Sequence, residues 1–164
     1  LFDRTGAGLP ALCCVALHEC GHIAAMHLVG ARVTDLQFCA FGVRMKKQGL
    51  LSYGQEAAVY FGGAAANLAA LAAVFPFAGW NLFTTANAAL AVFNLLPIGR
   101  LDGGVLLHLL LCRAGGLERA DLLRRVIGFV ILTPLFAGGF WLLMRGNCTL
   151  LFTAVYLAVT LLCA

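Results

Sequence analysis

Charge is scarce in this 164-residue sequence. Asp, Glu, Lys and Arg make up 11% of it and apolar residues 62%, against about 25% and 45–50% in a soluble globular domain. With a mean hydropathy of +0.95, the composition excludes a soluble domain and reads as a single-domain integral membrane protein. Residues 57–99, 126–144 and 146–164 contain no charged side chain. The first run is long enough for two crossings of roughly 20 residues and the others for one each. The seven cysteines include no C-x-x-C pair. Most lie in apolar runs, where they read as small hydrophobes rather than a disulfide framework. No repeat, low-complexity segment or extended tail is present. The chain starts at Leu1 rather than Met, and "LFDRTGAG" reads as a loop feeding a helix, so an upstream segment is expected.

What is there is five hydrophobic segments, at about 9–31, 56–77, 81–112, 126–144 and 148–164, the third broken at "NLLPIGRLDGG". The expected fold class is an all-α polytopic membrane protein with about five transmembrane segments and a short β-hairpin-like insertion after the first. Val33, Leu36, Phe38 and Val43 are strand formers, and Gly42 and Gly49 offer turns. A loop lying on the membrane surface is the other reading of residues 33–53. A hairpin there offers an edge for strand addition by an extended substrate.

The formal net charge of +4 matters by its placement. Stretches 32–53 and 113–125, read as loops on one side, carry Arg32, Arg44, Lys46, Lys47, Arg113, Arg119, Arg124 and Arg125. The opposite side carries Arg4 and Arg145. The positive-inside rule makes the first side cytosolic in a multi-pass cell-membrane protein. The basic residues need no nucleic acid to explain them.

Inside the first apolar segment stands "HECGH", residues 18–22, which fits H-E-x-x-H. His18 and His22 share a helical face and can chelate one ion, while Glu19 can reach a metal-bound water. The imidazole pair suits zinc. A chain of this composition is expected to show roughly 0.002 such motifs by chance, and ionisable groups in a membrane helix are functional by default. A catalytic zinc wants a third protein ligand and one open position. Asp102 and Glu56 are the candidates. Depth favours Asp102. From His22 to Arg32 is about 15 Å of helix, and from Asp102 to Arg113 about 16 Å, with both ends on the basic side. Pro97, Gly99, Gly103 and Gly104 break the helix beside Asp102, and irregular backbone at membrane depth is tolerated where it lines a wet cavity.

His18-Glu19-x-x-His22 followed by Asn94-x-x-Pro97-x-x-x-Leu101-Asp102-Gly103 resembles the site-2 protease family of intramembrane zinc metalloproteases (peptidase M50). Both motifs of that family stand here without a mismatch, and the resemblance covers roughly residues 9–112. The short format, the stretch after residue 33 and "GGAAAN" look most like the stage IV sporulation protein FB branch. Ala64 replaces the Pro that the family often has in Gly63-Ala64-Ala65-Ala66-Asn67, and no PDZ or CBS domain is visible. The resemblance implies a membrane-embedded protease domain over 1–164, with a catalytic core at 9–112 and accessory helices at 126–164. It implies one zinc per chain, held by His18, His22 and Asp102, with Glu19 as general base. Asn67 and Asn94 would bind substrate or stabilise the oxyanion, the alternative being helix–helix hydrogen bonding. The implied partners are the lipid bilayer, a transmembrane or membrane-associated protein substrate and an inhibitory membrane protein. The branch implies a sporulation sigma-factor precursor as substrate. An anti-sigma factor, or a catalytically silent metal-binding regulator, are the alternatives.

The remaining polar residues carry less. His27 lies off the ligand face. His108 follows Asp102 in the apolar run and can approach the cavity, and Cys20 reads as packing. Arg100 either steadies Asp102 or snorkels. Gly62, Gly63 and the alanines after them allow close helix packing. A metal transporter would show paired repeats, and none is found.

Overall fold

The computed structural model describes the backbone of residues 8–39, 42–48 and 51–162, and the side chains of these except 32–48. Residues 1–7, including the expected leading loop, Gly49, and the side chains of the basic residues in 32–48 lie outside the described residues. The order is α1 (Gly8–Leu28), β1 (Arg32–Cys39), β2 (Gly42–Gln48), α2 (Tyr53–Ala78), α3 (Leu82–Asn94), α4 (Asp102–Gly115), α5 (Leu117–Leu143) and α6 (Thr149–Leu162). The chain divides into two compact units, Leu1–Phe93 and Asn94–Ala164.

In the first unit α1 packs against α2. The close approach rests on glycine. A Cβ at Gly21 would run into the carbonyl of Gly62, and one at Gly62 would lie 2.7 Å from the Cβ of Ala25, so backbones meet where larger residues would hold them apart. The start of α2 is fixed by a capping box. Ser52 Oγ accepts from the Gln55 N–H at 3.3 Å while Gln55 Oε1 accepts from the Ser52 N–H at 2.9 Å. Its end is fixed by Gly79, whose φ of 58° is open to glycine and costly for other residues. Asn81 and Thr84 trade two further bonds, 2.9 and 3.0 Å, that start α3. Between α1 and α2, β1 pairs antiparallel with β2, from Arg32 opposite Gln48 to Cys39 opposite Gly42. Gly42, read from sequence as a turn residue, is therefore a paired strand residue. The register shifts between Val33 and Asp35.

In the second unit α4 packs on α5 and α5 on α6. The break before α4 is built on Gly99 at φ 54°. A Cβ at Gly103 would strike the carbonyl of Leu95, and one at Gly104 would lie 2.6 Å from the carbonyl of Gly99. The two glycines let the first turn of α4 nest against the backbone that leads into it. Gly128 and Gly139 do the same for α5 against α6, meeting Leu161 and the backbone of Leu151.

Three of the expectations on spans are corrected. α1, α2 and α5 are long and apolar enough to cross a membrane, so the described residues hold three candidate spans rather than five. The third hydrophobic segment divides into α3 and α4, of 13 and 14 residues, and the last is α6, also 14 residues. A 14-residue helix rises about 21 Å, short of a hydrocarbon core of about 30 Å. Hydropathy counts apolar residues but does not see where a helix stops. The 113–125 stretch is likewise no loop: α4 runs to Gly115 and α5 begins at Leu117. Glu118, Arg119, Asp121, Arg124 and Arg125 extend α5 beyond its apolar part.

The outside of the protein is its most apolar part. No more than 22% of the apolar window of any candidate span is buried within the chain, and Leu12, Phe77, Val130 and Phe152 are exposed. Asn67, Asn87 and Thr84 are fully buried instead. A polar interior under an apolar surface is the arrangement a bilayer demands. At one end of α5 the Arg145 guanidinium stacks 4.0 Å above the Trp141 ring, an anchor of the kind found at membrane interfaces.

Candidate metal centre

α1 carries Cys14, His18, His22 and Met26 on its buried face, a strict four-residue spacing that holds them on one side of the helix. His18 and His22 are buried, and their Nε2 atoms stand 3.2 Å apart. The rings meet edge to face, centroids 4.8 Å apart.

The outer nitrogens decide what the inner ones are. His18 Nδ1 lies 2.7 Å from Asn67 Oδ1, and His22 Nδ1 lies 2.8 Å from the carbonyl of Val59. Both partners only accept, so each Nδ1 carries the proton and donates it. Each Nε2 is then the lone-pair nitrogen. Two lone pairs facing each other at 3.2 Å repel unless a proton or a metal ion sits between them. Two Zn–N bonds of about 2.05 Å at a tetrahedral angle put the nitrogens about 3.3 Å apart. The observed separation fits that ion.

The amide that orients His18 is itself oriented. Asn87 Nδ2 donates to the carbonyl of Phe83 at 2.9 Å and to Cys14 Sγ at 3.1 Å. Its Oδ1 must therefore accept, and does so from Asn67 Nδ2 at 2.7 Å. Asn67 Nδ2 also donates to the carbonyl of Cys14 at 3.1 Å. That leaves Asn67 Oδ1 turned to His18. One relay, Asn87 to Asn67 to His18, crosses α3, α2 and α1 and sets a tautomer at its end. Hydrogen bonds behind a metal ligand fix its ring and raise its basicity.

Gly63 forms the floor. A Cβ there would lie 2.5 Å from His22 Nε2 and 2.7 Å from His18 Nε2. Beyond the helix packing expected of it, this glycine keeps α2 clear of the two ligand atoms.

Asp102 is the first residue of α4 and half-buried, where the positive end of the helix dipole favours a carboxylate. Asp102, the third ligand expected from sequence, belongs to the second unit. Glu56, the other candidate from sequence, lies in the first turn of α2. Glu19 is half-buried on the same turn as the two histidines, Asn94 closes α3 half-buried, and His27, Cys20 and Arg100 are exposed. His108 has other neighbours, described below.

Asn87, Gly63 and the Val59 carbonyl were not singled out as site residues by sequence reasoning. Asn87 left a signal. It sits in the same charge-free run as Asn67 and Asn94, and an amide buried there needs partners. The role of a backbone carbonyl leaves none.

No family model matches this chain, and no curated protein does. Among solved structures the fold is similar to that of Site-2 Protease from Methanocaldococcus jannaschii, with a TM-score of 0.68 and 19% sequence identity over 93% of this chain and 74% of that one. At that identity the likeness is one of fold. It is a fold that, in that protein, serves a protease.

Proposed function

We propose that this protein is an intramembrane zinc endopeptidase. The observation that carries the reading is the pair of lone-pair nitrogens at 3.2 Å, each fixed from behind by an acceptor. The placing of His18 and His22 on one buried face of α1 and the fold likeness support it. His18, His22 and Asp102 hold one zinc ion. When bound, zinc supplies Lewis-acid polarisation of the scissile carbonyl and acidifies the attacking water. Glu19, beside the first ligand, accepts the proton of that water and passes it to the leaving amine. Asn67 holds His18 through Nδ1, so its part is positioning. Asn94, at the end of α3 and eight residues before Asp102, is the amide left to bind the substrate backbone or the developing oxyanion.

The chemistry asks for water at the site, and Glu19 and Asp102, each half-buried rather than closed off, support its access. The substrate class is a transmembrane or membrane-associated protein whose scissile segment is locally unwound, since a helix hides its carbonyls in its own bonds. A sporulation sigma-factor precursor is the first substrate to test, on the strength of the sequence resemblance. The exposed Arg113, Arg119 and Arg125 support a cytosolic position for the α4–α5 turn.

The test is co-expression with a tethered sigma-factor precursor, comparing the native chain with Glu19→Gln and measuring zinc in both. Cleavage by the native chain only, with zinc in both, is expected. Zinc in both with no cleavage of any membrane substrate would leave a metal-binding regulator. Absence of zinc from the native chain would defeat the reading outright.

A further inference from the structure

The Asn94–Ala164 unit holds a second constellation, which begins six residues after Asp102 and is unused by the proteolytic reading. His108 and Cys112 lie one turn apart on α4, with Cys112 Sγ 3.3 Å from His108 Nε2. The other ring nitrogen, Nδ1, faces Asp121 Oδ1 on α5 at 3.5 Å. The same carboxylate oxygen lies 3.6 Å from Arg124 Nη2. A thiol, an imidazole and a carboxylate in that order are the parts of an activated nucleophile: sulfur, base, and the group that orients the base.

Two features set this row apart from ordinary packing. His108 Nδ1 and Arg124 Nε are buried without a hydrogen bond, and these are the two such side-chain atoms among the described residues. Each is costly to leave so. Arg124 is also a buried cation, in the charged first turns of α5. A metal site is the poorer account. The imidazole stands between sulfur and carboxylate, so the three do not converge on one point, and the row is not a ligand group.

The surroundings point to the electrophile. Leu110, Leu117 and Leu122 are exposed apolar surface. Arg113, Arg119 and Arg125 are exposed cations on the same stretch. Apolar surface beside positive charge suits an amphiphile with a long alkyl chain and an anionic phosphate head. We propose that Cys112, with His108 as base and Asp121 orienting it, is a site of S-acylation by long-chain acyl thioesters of a phosphorylated carrier. The Cys112 thiol proton passes to His108 Nε2 as sulfur attacks the thioester carbonyl carbon. The carbon–sulfur bond to the carrier breaks, and the carrier's thiolate takes the proton back from His108. A new thioester forms and one is lost, with no redox change.

The test uses the full chain in phosphatidylcholine vesicles with palmitoyl-coenzyme A and no added enzyme. Hydroxylamine-labile acyl groups are counted at each cysteine by mass spectrometry. Cys148 is exposed and serves as the reference thiol. Acylation of Cys112 is expected at least tenfold faster than of Cys148, within what a positioned base contributes. His108→Gln should bring Cys112 down to the Cys148 rate without changing Cys148. Asp121 is half exposed, so Asp121→Asn is a mild change, and it should slow Cys112 severalfold; it decides the matter if His108→Gln does not fold. Equal rates at the two cysteines in the native chain overturn the proposal, as does a Cys112 rate indifferent to both substitutions. Fast alkylation of Cys112 by iodoacetamide without acylation overturns the assignment to acyl thioesters.

Discussion

Gly63→Ala puts one methyl group where the zinc would be felt most and disturbs little else. The added carbon would lie 2.5 and 2.7 Å from the two ligand nitrogens, where ordinary contacts are 3.4–4 Å. The shortfall is about 1 Å, and overpacking on that scale costs about 1–3 kcal/mol. The histidines can escape it only by leaving their acceptors, Asn67 Oδ1 and the Val59 carbonyl, or by parting from each other. Either move spoils the 3.2 Å pairing. Converted at 1.4 kcal/mol per decade, the strain lowers zinc affinity by about 5- to 150-fold. The helix itself gains, because Ala is better than Gly in a helix interior by up to about 1 kcal/mol. Stability without metal should therefore fall by less than the full strain, and affinity should fall with it. Chelator competition measures the affinity, and thermal unfolding of the zinc-free protein measures the rest. Gly21→Ala is the contrast, since its methyl would meet the Gly62 backbone and Ala66 Cβ rather than the ligands; it should lower stability through the α1–α2 contact. Unchanged zinc affinity in Gly63→Ala, in a protein that folds, would refute the placement of α2 under the histidine pair.

Three further outcomes are expected. Asn67→Ala removes the acceptor behind His18 and should lower zinc affinity about 10- to 100-fold, and Asn87→Ala should act in the same direction but less, both read by the same chelator competition. Glu19→Gln should keep zinc and lose cleavage by about 10²- to 10⁴-fold, the range of a lost general base, read in a reconstituted cleavage assay. Asp102→Asn should lose metal as well as cleavage, and zinc analysis separates it from Glu19→Gln; a variant that kept full zinc affinity would remove Asp102 from the ligand set.

The candidate site stands out in the sequence because its residues are the exceptions to their surroundings. His18, Glu19 and His22 stand out in an apolar run, and the four-residue spacing already fixes their face. Asp102 stands out beside a glycine-rich break, and the glycines turn out to be required by the carbonyls of Leu95 and Gly99. What could not be read is what depends on where a helix ends. The run 57–99 looked like two crossings because no charge interrupts it. Its ends are set by Gly79, by the Asn81–Thr84 exchange and by the break at Gly99, which are local hydrogen-bonding events that hydropathy does not weigh. The stretch 113–125 looked like a loop because it is charged. Yet Gly116 alone separates α4 from α5, and Arg124 and Ala120 are buried in the helix that follows.

The polar interior also settles which residues a substitution can reach. In a soluble core the fully buried side chains are apolar and their loss leaves a cavity. Here Asn67 and Asn87 are among the largest fully buried side chains, and they bond to His18, Cys14, Phe83 and each other. Replacing either leaves a donor or acceptor stranded in its neighbour, at about 1–3 kcal/mol, and the error propagates along the relay to His18. An isosteric change shows the direction of that propagation. Asn67→Asp turns the donor that Asn87 Oδ1 and the Cys14 carbonyl receive into an acceptor, while the oxygen facing His18 is kept. If the relay works by satisfying each partner in turn, Asn67→Asp should destabilise the Leu1–Phe93 unit through its Asn87 side even though it preserves the contact to the ligand. A fall in unfolding temperature with zinc affinity held within a few-fold is the expected result. A large rise in zinc affinity at unchanged stability would show instead that only the charge beside His18 matters.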